Sequence, residues 1–162
     1  MATSNDNLEI FNKICLFLNE KNINFKSVQH EATFTSEESA KARGEDLSIG
    51  GKAIVMKVDN DFKLYVLSAS KKLSSKCIKD YHKAKNIRFA NKEELLQLTG
   101  LVPGSVPPFG KPILNFDLFV DESILSNEKI AFNAGSLTNS IVMNVGDYIA
   151  AAEPTRLRFS LD

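Results

Sequence analysis

The sequence is poor in the residues that mark secreted, membrane-bound or metal-dependent proteins. It has no tryptophan, two histidines and two cysteines in 162 residues. Cys15 and Cys77 lie far apart and in no C-x-x-C spacing, which excludes a disulfide framework or a zinc finger and favours a reducing cytosol. His30 and His82 show no metal-ligand spacing, so no metal centre is expected. No run approaches the ~18 apolar residues of a membrane span, and the polar N-terminus lacks the features of a signal peptide, so no membrane partner is expected.

A net charge is also absent. The 20 basic residues balance 20 acidic ones, which excludes a globally basic nucleic-acid coat protein but leaves room for a local basic patch. No G-x-S-x-G elbow, P-loop or G-x-G-x-x-G occurs, so serine hydrolases, nucleotide hydrolases and dinucleotide enzymes lack their usual signals here. Both cysteines fall on apolar faces of predicted helices and are interpreted as core residues, not as nucleophiles.

Hydrophobic spacing alternates between the helical and the extended period. Helices are predicted over residues 5–21, with Ser4 or Asn5 as the cap, and over 35–44, 73–84, 92–98 and 146–152. Strands are predicted over residues 25–30, 52–58, 62–69, 87–90, 114–120, 129–133, 140–145 and 156–159. The strands 52–58 and 62–69 should form a hairpin around residues 59–61. The order favours one α+β domain with a mixed sheet and a loop rich in glycine and proline over residues 99–112.

Basic residues are concentrated in one part of the chain. They are Lys63, Lys71, Lys72, Lys76, Lys79, Lys83, Lys85 and Arg88, and they are accompanied by a single acid, Asp80. Four of these lysines fall on one face of the predicted helix 73–84, and the opposite, buried face would carry Leu73, Cys77, Tyr81 and Ala84. The lysine face is either an ordinary solvated surface or a surface that contacts the phosphates of a nucleic acid.

Three segments carry groups that could meet a ligand. Lys52 begins an apolar strand directly after Gly50-Gly51, so its ammonium either reaches solvent or holds a carbonyl, a ribose hydroxyl or a phosphate. The loop from Gly104 to Pro108 is stiffened by prolines, while Gly104 permits close approach, so it is a rigid connection or a source of backbone N–H donors. A second turn of small residues, Asn133-Ala-Gly-Ser136, ends a predicted strand and could present similar donors.

These segments occur in the order typical of one family. The order runs His30-x-x-Thr33, Gly51-Lys52, Glu93-Glu-Leu-x-x-x-Thr-Gly100, Pro103-Gly-Ser-Val-Pro-Pro-Phe-Gly110, Val120-Asp121 and Phe132-Asn-Ala-Gly-Ser136. Over about residues 25 to 160, the chain resembles the YbaK family, also called the prolyl-tRNA synthetase associated or editing domain family. Its members hydrolyse the ester of mischarged tRNA, typically Ala-tRNA or Cys-tRNA carrying the proline acceptor. They act in trans or as a domain of prolyl-tRNA synthetase.

The resemblance implies a cytoplasmic aminoacyl-tRNA deacylase without cofactor or metal, built on a curved mixed sheet flanked by helices. Residues 1–24 would be an N-terminal helix packed on the domain, and residues 25–162 the deacylase domain. The partner would be the acceptor end of mischarged tRNA, with prolyl-tRNA synthetase as a further candidate. Two other interpretations are a non-catalytic tRNA-binding or synthetase-docking module, against which Lys52 and Gly104 argue, and a small-molecule-binding domain without tRNA affinity.

The resemblance also places site residues. The family's essential lysine falls on Lys52 and its G-x-x-x-P loop on Gly104 to Pro108, so Lys52, Gly104 and Pro108 are the expected catalytic residues. We expect Lys52 to hold the terminal adenosine or a phosphate and to help hold the ester. N–H groups around Gly104 and Gly135 would polarise the ester carbonyl, while a ribose hydroxyl activates water. The expected substrate-binding residues are His30, Thr33, Ser105, Val106, Phe109, Asn133, Gly135 and Ser136. The expected tRNA-binding residues are Lys71, Lys72, Lys76, Lys79 and Lys83. Alanine-specialised members often carry His-Pro where this chain has Asn133-Ala134, so the substrate stays open.

Overall fold

The computed structural model describes residues 8–161 and confirms the α+β class. The helices are α1 (Glu9–Glu20), α2 (Ser36–Arg43), α3 (Ser75–His82), α4 (Lys92–Thr99), α5 (Glu122–Leu125) and α6 (Val145–Ala152). The strands are β1 (Phe25–Gln29), β2 (Gly51–Val58), β3 (Asp61–Ser68), β4 (Lys72–Leu73), β5 (Ile87–Phe89), β6 (Leu118–Asp121), β7 (Lys129–Asn133), β8 (Asn139–Asn144), β9 (Thr155–Leu157) and β10 (Ser160–Leu161). No helix within residues 8–161 combines the length and the apolar character that crossing a bilayer requires.

The strands form two larger sheets that meet at one point. A mixed five-stranded sheet has the order β5-β2-β3-β6-β9, and an antiparallel three-stranded sheet has the order β1-β8-β7. The predicted hairpin is confirmed, because β2 pairs antiparallel with β3 from Gly51 to Val58. A parallel bridge between Gly50 and Ala131 joins the two sheets. This bridge brings the beginning of β2 beside β7, and therefore Lys52 near the turn that follows β7.

Strand β3 lies in the middle of the five-stranded sheet and is covered on both faces. Its alternate residues point to opposite sides, so Leu64 and Val66 join one hydrophobic cluster while Tyr65 and Leu67 join the other. The larger cluster includes Ile14 and Leu18 of α1, which are fully buried. Helix α1 is therefore packed on the core. Its N-cap is Leu8, and the predicted caps Ser4 and Asn5 lie outside the described residues.

The basic helix is shorter than predicted. Helix α3 begins after Ser74, whose hydroxyl accepts a hydrogen bond from the Cys77 N–H at 3.2 Å. It ends at Lys83, which adopts the left-handed conformation with φ 53°. Lys72 lies instead on β4, where it pairs with Leu161 of β10. The prediction that four lysines share one helix face is therefore wrong. The strand pairing of Lys72 and the cap at Ser74 delay the beginning of the helix, and the left-handed Lys83 ends it.

The buried face of α3 also differs from the prediction. Ile78 is fully buried, whereas Tyr81 is 49% exposed and Cys77 is exposed. The interpretation of Cys77 as a core residue is therefore wrong. Cys15 is half-buried and packs against the larger cluster, and this burial raises the pKa of its thiol.

Two predicted strands are displaced. The apolar run 114–120 forms a strand only from Leu118, because the Gly110 carbonyl accepts hydrogen bonds from the Ile113 and Leu114 N–H groups and folds the run into a turn. The last predicted strand, 156–159, is divided between β9 and β10. Phe159 between them is fully buried, and its N–H donates to the Asp121 carboxylate at 2.6 Å.

Candidate active site

A cavity of about 200 Å³ opens where the beginning of β2 faces helix α2 and the loop 99–112. Its polar wall includes Thr33, Ser39, Arg43, Lys52, Gly104 and Asn133. Among residues 8–161, no aspartate, glutamate, histidine or cysteine lines it. Within the same residues, no three side chains of these types are grouped so that they could hold a metal ion. The cavity is therefore electropositive, with two cationic side chains and no lining carboxylate.

The structure brings several predicted site residues together at this cavity. They are Thr33, Lys52, Gly104, Val106 and Asn133. Thr33 and Ser39 share a hydrogen bond between their hydroxyls at 2.8 Å, and both are buried. The N-terminus of α2 beside them is closed by Thr35, whose hydroxyl accepts from the Glu38 N–H at 3.1 Å. The Thr33, Thr35 and Ser39 hydroxyls of the wall are thus bonded within the fold.

Other predicted residues lie behind the cavity wall. Phe109 is 1% exposed and packs edge-on against the rings of Phe132 and Tyr148 in the core. The Pro108 carbonyl accepts a hydrogen bond from the Tyr148 hydroxyl at 2.6 Å. Ser105 is buried and donates its hydroxyl to the Val102 carbonyl at 2.8 Å. Phe109, Pro108 and Ser105 support the loop and do not line the cavity.

The turn after β7 offers the cavity fewer hydrogen-bond donors than expected. The Gly135 N–H donates to the Ser105 carbonyl at 2.9 Å, so Gly135 has no backbone donor left for an ester carbonyl. Ser136 is buried, and its hydroxyl accepts from the Thr138 N–H at 3.0 Å. His30 is also outside the lining, with Nδ1–H donating to the Glu31 carbonyl and Nε2 2.8 Å from the Ser140 hydroxyl.

Two backbone donors of the loop stay available. The N–H groups of Gly104 and Val106 donate to no acceptor within residues 8–161, and both residues line the cavity. In a trans peptide the C=O and N–H groups point in opposite directions. Because the Ser105 carbonyl faces Gly135, the adjoining Val106 N–H points away from Gly135. Preorganised N–H groups of this kind stabilise the oxyanion of an acyl-transfer reaction.

Lys52 is half-buried at the cavity. Burial lowers the pKa of its ammonium, Glu37 opposes the shift, and the positive charge of Lys72 lowers the pKa further. Removing an ammonium from water disfavours its charged form, so Lys52 loses its proton at a lower pH than an exposed lysine does. The influence of Lys72 shows that a lysine of β4 lies close enough to act on the site.

Two charge-removing variants are expected to move this pKa in opposite directions. Lys72→Met removes a like charge and should raise the pKa of Lys52, whereas Glu37→Gln removes an opposite charge and should lower it. Titration of the Lys52 side-chain ¹³Cε resonance in the free protein measures this pKa in each variant. The signal is assigned by its disappearance in Lys52→Arg. Shifts of the same sign in the two variants would contradict this electrostatic description.

Arg43 is a cavity residue that sequence reasoning missed. Its Nε–H donates to the Ser140 hydroxyl at 2.9 Å, and its Nη2–H donates to Asn133 Oδ1 at 3.1 Å. Burial lowers the pKa of its guanidinium to about 10, with Glu45 acting in the opposite direction, so the side chain is cationic at neutral pH. An arginine in the last turn of a helix is ordinarily explained by the helix dipole, and no motif set Arg43 apart.

The predicted tRNA-binding lysines are spread over two elements. Lys71 precedes β4 and Lys72 begins it, close enough to act on Lys52, whereas Lys76 and Lys79 lie on α3 and Lys83 caps it. Lys76 forms an exposed ion pair with Asp80 at 2.8 Å. The contact of these lysines with tRNA stays a prediction.

The sequence of the chain is similar to known proteins over most of its length. The family model of the aminoacyl-tRNA editing domain matches residues 30–151. The multifunctional Ser/Thr-tRNA deacylase ProXp-y of Escherichia coli (strain K12) is 31% identical over 153 residues, which cover 91% of this chain and 90% of that protein. A proline–tRNA ligase of Shouchella clausii (strain KSM-K16) is 34% identical over 114 residues, which cover 69% of this chain and 19% of the ligase.

The fold has a close counterpart among solved structures. A crystal structure described as that of a candidate trans-editing enzyme for prolyl tRNA synthetase superposes with a TM-score of 0.82 at 21% identity, covering 95% of this chain and 98% of the other. The sequence match extends over the cavity residues from Thr33 to Asn133. The chain therefore belongs to the aminoacyl-tRNA editing domain family, and its enzyme class is that of an aminoacyl-tRNA deacylase.

Proposed function

We propose that this protein hydrolyses the ester of tRNA mischarged with a small amino acid, and that serine and threonine are its preferred aminoacyl groups. The observation that carries the proposal is the cavity beside Lys52, which is small and lined by hydroxyls and, among residues 8–161, by no carboxylate. Alanine and cysteine on the proline acceptor are the alternative substrates. Prolyl-tRNA synthetase is a candidate partner, and a cytoplasmic location stays a prediction.

The size of the cavity limits what it can hold. About 200 Å³ corresponds to about seven water molecules at ~30 Å³ each, below the ~300–1,000 Å³ of pockets that enclose a drug-sized ligand. The aminoacyl group fits inside, and the terminal adenosine has to lie at the opening. Phe34 lines this opening and is 75% exposed, so it offers an aromatic face on which a base can stack.

The chemistry suits an enzyme without a side-chain nucleophile. A nucleophilic hydroxyl needs a base within hydrogen-bond reach. Among residues 8–161, no histidine or carboxylate lines the cavity, and the Lys52 amine forms no hydrogen bond with a hydroxyl there. An aminoacyl ester is already activated, so orientation, an oxyanion site and a water suffice. The Gly104 and Val106 N–H groups would hold the carbonyl oxygen, Lys52 would hold a phosphate or ribose oxygen, and a ribose hydroxyl would orient the water. Water then adds to the carbonyl carbon, the ester bond between this carbon and the ribose oxygen breaks, and a proton of the water passes to that ribose oxygen. The products are the free amino acid and the tRNA hydroxyl.

The hydroxyl lining supports a preference for serine or threonine. An apolar pocket barely distinguishes an added hydroxyl, whereas a site that hydrogen-bonds a substrate hydroxyl rejects the analogue that lacks it. Thr33 and Ser39 place two hydroxyls in the wall, and each retains acceptor capacity beyond their mutual bond. The name of the Escherichia coli relative, a Ser/Thr-tRNA deacylase, points the same way.

The test is the initial rate of amino acid release from Ser-, Thr-, Ala- and Cys-tRNA at one fixed salt concentration, on the cognate and the proline acceptor. We expect Ser-tRNA and Thr-tRNA to be cleaved well above the rate in buffer, and Ala-tRNA more slowly. Cleavage of Ala-tRNA or Cys-tRNA alone would overturn the preference for hydroxylated residues. Binding of tRNA without cleavage of any ester would favour the non-catalytic module.

A further inference from the structure

Asn133 lies at the centre of a buried polar network at the cavity wall. The residue is only 8% exposed, and its Oδ1 accepts from Arg43 Nη2–H and lies 3.1 Å from the Ser140 hydroxyl. Its Nδ2–H donates to the Gly104 carbonyl at 2.7 Å. Arginine only donates and a carbonyl only accepts, so these two partners fix which end of the amide is oxygen and which is nitrogen.

The Nδ2–H of Asn133 holds the loop at the edge of the cavity. Between Gly104 and Pro108, three carbonyls accept hydrogen bonds from fixed donors, namely Gly104 from Asn133, Ser105 from Gly135 and Pro108 from Tyr148. Of these, only the bond between Asn133 and Gly104 joins two residues of the cavity lining. Gly104 has φ 90°, a conformation that belongs to neither a helix nor a strand. The peptides on either side of it therefore lack the regular hydrogen bonds of such an element.

Arg43 keeps the amide of Asn133 in place from the opposite side. Its guanidinium bonds Asn133 Oδ1 through Nη2 and the Ser140 hydroxyl through Nε, so one planar group holds two neighbouring acceptors. A lysine ammonium lacks this planar fork. Since Arg43 is the last residue of α2 and Asn133 is the last residue of β7, the pair also joins two elements across the cavity.

We propose that Arg43 and Asn133 are positioning residues of the deacylation site, which hold the Gly104 carbonyl and thereby aim the N–H groups of the loop at the ester. This inference rests on the proposed function. Neither residue has to touch the reacting atoms for this role. The competing description is purely structural: Asn133 would serve only to satisfy the buried guanidinium, and the loop would be held by its other two bonds.

Asn133→Asp separates the two descriptions. Aspartate has the shape of asparagine and forms a stronger, charge-assisted hydrogen bond with Arg43, so the buried guanidinium keeps an acceptor for its N–H. It has no N–H for the Gly104 carbonyl and faces that carbonyl with an oxygen instead. A structural role predicts unchanged activity, whereas a positioning role predicts a displaced loop in a stable protein.

The first readout is steady-state kinetics on the aminoacyl-tRNA that wild type cleaves fastest. For Asn133→Asp we expect kcat to fall about tenfold or more, because misplacement of reacting groups by ~1 Å costs up to about 100-fold. KM should stay within about threefold, and the variant should remain folded well above the assay temperature. Arg43→Lys should lower kcat in the same manner. Asn144→Asp is the matched control, since Asn144 caps α6 through Oδ1 alone and an aspartate can do the same.

The second readout needs no substrate. Amide hydrogen exchange of Ser105 and Gly135, whose N–H groups donate to the Val102 and Ser105 carbonyls, should become faster in the free protein for Asn133→Asp and Arg43→Lys and stay unchanged for Asn144→Asp. Wild-type kcat in Asn133→Asp, or wild-type exchange in its loop, overturns the inference. If wild type cleaves no ester, the proposed function fails, and the exchange comparison still decides whether Asn133 holds the loop.

Discussion

Replacement of Lys52 by methionine is expected to lower kcat/KM for aminoacyl-tRNA hydrolysis by about 10²–10³-fold, the effect of removing one preorganised group that stabilises charge in an acyl-transfer site. Methionine has nearly the length of lysine, so the wall of the cavity keeps its shape while the positive charge disappears. Among residues 8–161, Lys52 and Arg43 are the two cationic side chains of the lining, and the carboxylates that act on them, Glu37 and Glu45, lie outside it. The measurement is single-turnover release of the amino acid together with steady-state kcat and KM.

Two further variants test whether the charge or its position matters. Lys57→Met makes the same substitution on the same strand, but Lys57 faces the other side of β2, where its ammonium lies 5.8 Å from the ring centre of Phe62. It should retain wild-type activity. Lys52→Arg keeps the charge in a larger, planar group and should recover only part of the lost rate. Equal activity of Lys52→Met and wild type would remove Lys52 from the mechanism.

Salt dependence distinguishes the two tasks proposed for Lys52. If the ammonium contacts a phosphate, log KM should depend less steeply on log salt in Lys52→Met, because one fewer counterion is released on binding. If it acts only on the ester, the salt slopes should be equal and the loss should appear in kcat. Either result leaves Lys52 in the site and identifies the oxygen that it holds.

Local signals in the sequence were sufficient to predict an element when its own residues mark where it begins and ends. Helix α2 is an example, because it was predicted over residues 35–44, where Thr35 and Glu38 form a capping box and Gly44 ends the helix in the left-handed conformation. The convergence of Lys52 and Gly104 on one cavity came from the resemblance to a family. Periodicity alone could not have supplied it, since the two residues lie on separate segments of the chain.

Distant pairings account for what the sequence could not predict. The lysines of 72–83 show a good helical period, yet the pairing of Lys72 with Leu161 at the other end of the chain withdraws it from the helix. Arg43 and Asn133 meet only because the bridge between Gly50 and Ala131 joins the two sheets. Neither contact has a local signature, because each depends on the packing of remote strands.

Gly135→Ala is expected to destabilise the protein by about 2–5 kcal/mol. Gly135 has φ 76°, and a Cβ there would lie 2.6 Å from Cβ and Cγ2 of Ile10. Left-handed backbone costs other residues roughly 1–2 kcal/mol, and forcing atoms into a packed contact adds about 1–3 kcal/mol. Chemical denaturation with the midpoint and slope fitted separately measures the change in the free energy of unfolding.

Gly100→Ala separates the two contributions. Gly100 has nearly the same φ, 75°, but a Cβ at this position would meet no heavy atom within 4 Å beyond its chain neighbours, so only the backbone cost of about 1–2 kcal/mol should be seen. Equal losses in the two variants would mean that helix α1 yields freely and that its contact with the turn contributes nothing. A larger loss for Gly135→Ala, accompanied by faster amide exchange in α1, would show that this turn holds the helix. Since the Gly135 N–H also orients the Ser105 carbonyl, the same variant should lower kcat even where the protein is still folded.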